Sequence, residues 1–178
     1  MSAEEAERYL LPADPMHDFN YLNQSGCSSI EGVDDATDFA TLKAAMTAVG
    51  INHQQQTEVF EVLAGILWLG NIQFRAPTDD SVSVEPGAAV ANAAALLQMS
   101  EPALMSALTS RNIVARGETI VTQLKMDGAV DARDALAKAT YAGMPSIVAY
   151  SLVVLSSFIC SSFTCPTRAS RSDMPIRH

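Results

Sequence analysis

The run YLNQSGCSSIEGVDDATDF, Tyr21 to Phe39, decides how the rest of this chain is read. It joins a Tyr-Leu-Asn-Gln segment to a Gly-Val-Asp-Asp turn, and the turn opens a helix. Asp35 is placed to cap that helix by accepting a backbone N–H. Asp38 lies near its positive end, where the macrodipole favours negative charge. Phe39, Leu42, Ala45, Met46 and Val49 then recur at helical spacing, and Gly50 stops the pattern. A calcium-loop reading of the aspartates fails, because such a loop needs Gly at its sixth position and Glu at its twelfth.

Toward the C-terminus, Asn52 caps a second predicted helix, His53 to Leu69, with Val59, Phe60, Leu63, Ile66 and Leu67 on one face and Gly70-Asn71 closing it. Ile72 to Arg75 and Val82 to Glu85 read as short strands around a polar loop. Helices over Ala88 to Met99 and Glu101 to Arg111 follow, with Ser100 as the cap between them. The stretches NIVA and ETIVTQL flank Arg116-Gly117 and predict a hairpin, Gly117 supplying the positive φ of a tight turn. Asp127 caps a last helix through Tyr141, and Gly143 and Pro145 end the regular pattern. Toward the N-terminus, residues 1–20 read as irregular, since Pro12 and Pro15 disfavour a long helix. The expected fold class is mainly α with a small β component.

A chain of 178 residues with 48% hydrophobic residues can bury one sizeable core. With 20 acidic and 11 basic residues, the net charge of −9 argues against a nucleic-acid surface. Cys27, Cys160 and Cys165 are too few and too scattered for a disulfide framework and point to a reducing compartment. The first 20 residues carry Glu4, Glu5, Glu7 and Asp14 and do not read as a signal peptide. Ile147 to Phe163 is a candidate membrane anchor, followed by Arg168, Arg171 and Arg177 and diluted by serines.

The chemistry-bearing motifs are few. There is no G-x-x-x-x-G-K-[ST] phosphate loop, no G-x-G-x-x-G and no G-x-S-x-G elbow. His17, His53 and His178 lie far apart, which gives a zinc site little support. Gly65, Gly70 and Gly87 are isolated and read as helix packing or a turn, and Trp68 as core.

Four segments nevertheless stand in a recognisable order: Tyr21-Leu22-Asn23-Gln24-Ser25, Ile30 to Ala36 (IEGVDDA), Val62 to Phe74 (VLAGILWLGNIQF) and Asp134 to Lys138 (DALAK), preceded by Ala132-Arg133. Over about residues 9–142 the chain resembles the myosin motor head, most like the plant and green-algal class eight myosins through ILWLGN and Val90 to Leu97. The resemblance implies a partial motor domain over residues 21–142, from the upper fifty-kilodalton subdomain of an incomplete P-loop NTPase-type head. It also implies cytoplasmic, cytoskeleton-associated localisation. The intact family binds and hydrolyses MgATP and moves on actin filaments. The family's phosphate loop and both switches are absent from this sequence, so the resemblance implies no catalytic residue and no ATPase activity in this chain alone.

In the family, the hairpin over Ile113 to Gln123 would be the actin-touching surface loop. A residue sixteen positions before the DALAK segment carries negative charge there, and the equivalent position is Glu118. A carboxylate supplies permanently what a kinase would otherwise add. Arg111 and Arg116 bracket the loop and would pair with acidic actin surface. After Ala142 the sequence departs from the family pattern, so residues 143–178 are expected to be a non-family apolar tail of a truncated or mis-spliced product. Two other readings follow from the same residues: a non-catalytic actin-binding module using the hairpin alone, and a small tail-anchored membrane protein using 147–163.

Overall fold

The computed structural model describes residues 1–27, 29–78, 81–115 and 118–162. Helices α1 (Ala3–Arg8), α2 (Pro15–Asp18), α3 (Asp35–Ala48) and α4 (His53–Gly70) lead into strands β1 (Phe74–Thr78) and β2 (Ser81–Val84). Helices α5 (Ala88–Leu96) and α6 (Glu101–Thr109), strands β3 (Ser110–Ala115) and β4 (Glu118–Gln123), and helix α7 (Met126–Ser162) follow. The described residues are therefore mostly helical with two small antiparallel two-stranded sheets, β1–β2 and β3–β4.

Helix α4 is the centre of the fold and packs on both α5 and α7. Its start is fixed by a capping box: the Asn52 side chain accepts from Gln55 N–H while the Gln55 side chain accepts from Asn52 N–H. The apolar core joins Ile66 and Leu69 of α4 to Ile72, Val84, Val90, Ala93, Leu104, Leu108 and Ala137. Leu69, Ile72, Leu104 and Leu108 are fully buried, each worth about 1.5–3 kcal/mol relative to exposure. Gly65 lets α4 approach α5, since a Cβ there would lie 2.8 Å from Leu97 Cγ.

Several expectations change. Residues 1–20 are not irregular. Ser2 and Glu5 form a capping box that starts α1, and Pro15 sits at the first position of α2, where a missing N–H costs nothing. The cap of α3 is Asp34, not Asp35; its side chain accepts from Ala36 and Thr37 N–H. The apolar positions of α3 do not form a buried face. Leu42 is 49% and Val49 60% exposed, and α3 touches the body mainly through Phe39, Lys43 and Met46. The buried residues of α4 are Gln56, Thr57, Ala64, Gly65, Ile66, Leu69 and Gly70, so the Val59-Phe60-Leu63 stripe is only half-covered. The ends of the first two strands lie one to three residues from their expected positions, α5 ends at Leu96, and α6 gives way to β3 at Ser110.

Asp127 lies in the first turn of α7 rather than at its cap, and Gly143 and Pro145 do not end that helix. A proline removes one backbone bond, whereas an already nucleated helix gains one bond per residue added. The helix thus crosses the boundary at Ala142-Gly143 unbroken as far as Ser162. Among the described residues, no helix is long and apolar enough to cross a membrane; Phe163, the last residue of the candidate anchor, and the arginines after it lie outside the described residues.

Candidate functional site

The hairpin is built by strict alternation. Ser110 pairs with Gln123, Arg111 with Thr122, Ile113 with Ile120 and Ala115 with Glu118. Successive side chains point to opposite faces of a strand, so Arg111, Ile113, Glu118, Ile120 and Thr122 share one face. Arg111 and Glu118 therefore stand on the same side, separated by the Ile113–Ile120 pair, with Ile113 39% and Ile120 51% exposed. On the other face Val121 is 62% exposed, so the ribbon projects from the body instead of covering it. Its base is tied down where Leu124 N–H donates to Thr109 O at 2.8 Å. Arg116, the third predicted contact residue, lies outside the described residues, as does Gly117.

A second constellation, invisible as a unit in the sequence, gathers at the C-terminus of α4. The Tyr21 hydroxyl donates to Asp134 Oδ1 at 2.7 Å. Arg133 Nε donates to the same oxygen at 2.9 Å, and its Nη1 reaches the carbonyls of Ile72 at 3.3 Å and Gly70 at 3.5 Å. Asn20 Nδ2 donates to Gly70 O at 3.1 Å, Asn20 N–H donates to Asn71 Oδ1 at 2.9 Å, and Asn71 Nδ2 donates to Asp18 O at 2.7 Å. Orphan carbonyls at a helix end need such donors, and a cation there complements the dipole. The YLN, LGN and ARD segments are thus parts of one lock. The Tyr21 ring lies against Gly70, where a Cβ would come within 2.7 Å of it.

The electrostatics follow the contacts. Burial pushes the Asp134 carboxyl up, but the hydrogen bonds from Arg133 and Tyr21 and the charges of Arg133 and Lys138 outweigh that, leaving it below its ordinary value. The Tyr21 phenol is pushed up to about 12, first by burial and then by the Asp134 carboxylate. Trp68 is half-buried and packs against the core without being part of its fully buried set. Its ring meets Phe19 edge-on at 5.1 Å, and its Nε1–H donates to Leu10 O at 3.1 Å.

Neither constellation is a nucleophile paired with a base, and the described residues hold no cluster of three or more His, Cys, Asp or Glu able to bind a metal ion. The lock holds elements together, and the hairpin offers a surface.

The sequence profile described as myosin head (motor domain) matches residues 1–152. Among curated proteins, the chain is 42% identical over 141 residues to Myosin-1 of Arabidopsis thaliana, covering 78% of this chain and 12% of that protein. It is 42% identical over 127 residues to unconventional myosin heavy chain 6 of Caenorhabditis elegans, covering 70% of this chain and 6% of that protein. It is 34% identical over 142 residues to Myosin-51 of Schizosaccharomyces pombe, covering 79% of this chain and 9% of that protein. The chain spans about a tenth or less of the length of these relatives. On the extent of the profile match and the level of these identities, it belongs to the myosin head (motor domain) family.

Proposed function

We propose that this chain is part of the upper half of an actin-based motor head, and that its contribution is scaffold plus one actin-facing hairpin. The observation that carries this reading is the common face of Arg111 and Glu118, with the exposed Ile113–Ile120 pair between them. A projecting ribbon with an apolar centre and a charge of each sign at its ends suits a mixed polar and apolar filament surface. Arg116 would extend the same contact. The partner is filamentous actin, and the setting is cytoplasmic and cytoskeletal, as for the family. Residues 21–142 are placed in the motor-head segment of this proposal, and the run of α7 across residue 143 and the profile match over residues 1–152 support extending that segment beyond both bounds.

MgATP chemistry belongs to the intact head. The residues present here do not fit that group, for the sequence has no phosphate loop and the described residues no acidic metal cluster. No hydrolytic step runs through this chain, and purified chain is expected to show no actin-stimulated ATP turnover; measured turnover would overturn that.

Cosedimentation with filamentous actin tests the hairpin. A single loop is far smaller than a standard interface, so weak pelleting is expected. Glu118→Lys should alter it, because a reversed charge meets the same filament surface. If neither parent nor variant pellets, the hairpin is not an autonomous actin contact.

A further inference from the structure

We propose that the groove between α4, the end of α5 and α7 is a binding site for a small amphiphilic amine, an apolar or aromatic body carrying one ammonium group. The half-open groove has a volume of about 530 Å³, inside the ~300–1,000 Å³ range of small-molecule sites. Val62, Leu97 and Leu136 supply apolar lining, and Met99 and Met144 add side chains that adapt to irregular shapes. Among the described residues, the charges in its lining are all of one sign: Glu58 and Glu61, with no Lys, Arg or His.

The two carboxylates stand at i,i+3 on α4 and are neighbours on the helix surface, where like charges repel. A cation placed between them relieves that repulsion. Glu58 already accepts from Gln54 Nε2 at 3.0 Å, but a carboxylate has about four acceptor positions and keeps capacity for an ammonium donor. The other described lining residues are apolar or neutral, so among them a bare metal ion would lack ligands and an anion would meet only like charge. The body of the ligand is therefore apolar and its head cationic. This site is separate from the hairpin and does not depend on actin binding.

Calorimetric titration of the full chain with phenylbutylamine, phenylbutanol and phenylbutanoate separates the apolar from the charged contribution. The amine should bind saturably at one site, about fivefold tighter than the alcohol, the upper end of what a solvent-accessible ion pair contributes. The carboxylate should bind weakest. Amine-induced amide shifts should centre on Val62, Leu97 and Leu136. The Glu58→Gln, Glu61→Gln double variant should bind the amine no better than the alcohol while keeping the parent's alcohol affinity. Absence of saturable binding, equal affinity of amine and alcohol for the parent, or shifts centred elsewhere would each overturn the proposal.

Discussion

The Tyr21 hydroxyl donates a 2.7 Å hydrogen bond to Asp134 across 113 residues of chain, joining the first family segment to the last. The bond is to an ionised acceptor that Arg133 also contacts, so it is charge-assisted and part of a network. Tyr21→Phe keeps the ring against Gly70 but withdraws one donor from Asp134. Asp134 stays partly solvated and keeps Arg133, so the loss should be about 1 kcal/mol rather than the larger cost of an orphaned buried charge. Urea unfolding of the variant checks this.

The same pair sets an alkaline limit. The Tyr21 phenol ordinarily titrates at 10.0 and here titrates at about 12, so the folded state favours the protonated form. Its contribution is complete below pH 10 and is lost as pH rises through about 12. Stability should therefore fall over that window more steeply in the parent than in Tyr21→Phe, measured by denaturant midpoint against pH.

At the acid end the relevant group is Glu5. Its carboxylate accepts from Lys43 Nζ at 2.8 Å and from Ser2 N–H at 2.8 Å, tying α1 to α3 and capping α1 at once. The Lys43 hydrogen bond, followed by that from Ser2, lowers its pKa from 4.5 to about 2. A depressed carboxyl stabilises the fold above its unfolded value and loses that contribution as pH falls from about 4.5 to about 2. Glu5→Gln should flatten the stability loss across this window. Trp68 fluorescence is a convenient readout, because its indole hydrogen-bonds Leu10 just after α1.

Two glycines of α4 should answer differently to alanine. At Gly70 the new Cβ would lie 2.7–2.9 Å from a Tyr21 ring held at its hydroxyl end, so Gly70→Ala should destabilise by about 1–3 kcal/mol. At Gly65 the clash is with Leu97 Cγ and Cδ2 at 2.8 Å and with Leu96 Cβ at 3.3 Å; Leu97 borders the groove, whereas Leu96 is buried. The helix gains ~1 kcal/mol from replacing an interior glycine, which offsets part of an overpacking cost of about 1–3 kcal/mol, so Gly65→Ala should destabilise by less than Gly70→Ala. Thermal or urea melts of the two variants side by side separate these outcomes.

Helices α1, α3 and α5 end alike, each with a residue of positive φ after the cap: Leu10 at 52°, Gly50 at 91° and Gln98 at 54°. In each, the following amide bonds back to the third-last turn position, Leu11 to Ala6, Ile51 to Met46 and Met99 to Ala94, the Schellman pattern. Only Gly50 is suited to it. Gln98 is exposed, so Gln98→Gly should remove ~1–2 kcal/mol of left-handed strain and add ~0.5–1 kcal/mol of unfolded-state entropy cost, a net gain of about 0.5–1 kcal/mol. A raised melting temperature with unchanged circular dichroism at the folded baseline is the expected result.

Much of the fold was legible locally because the signals are local. Asn52 and Ser100 mark helix starts through caps within a few residues, and the alternation of NIVA and ETIVTQL marks the two strands of the hairpin. The Ser2-to-Glu5 capping box was equally local; the nearby prolines masked it, although Pro15 opens α2 rather than forbidding it. The burial faces were harder to read. The apolar stripe of α3 has true helical spacing, but periodicity does not say whether another element arrives to cover it, and at Leu42 and Val49 none of the described elements does. The length of α7 was missed for a related reason: a glycine and a proline are weak stops once a helix is long.

The sequence by itself determined the family, the order of elements from α3 onward, and the hairpin that carries Arg111 and Glu118, since motifs, caps and alternation are properties of neighbouring residues. Only the tertiary structure decided that Tyr21, Gly70 and Asp134 meet, that Arg133 and Asn20 serve the carbonyls at the end of α4, and that Glu58 and Glu61 border an apolar groove. Contacts over such separations depend on how three helices cross, and crossing geometry is set by packing of whole faces rather than by any one residue's preference.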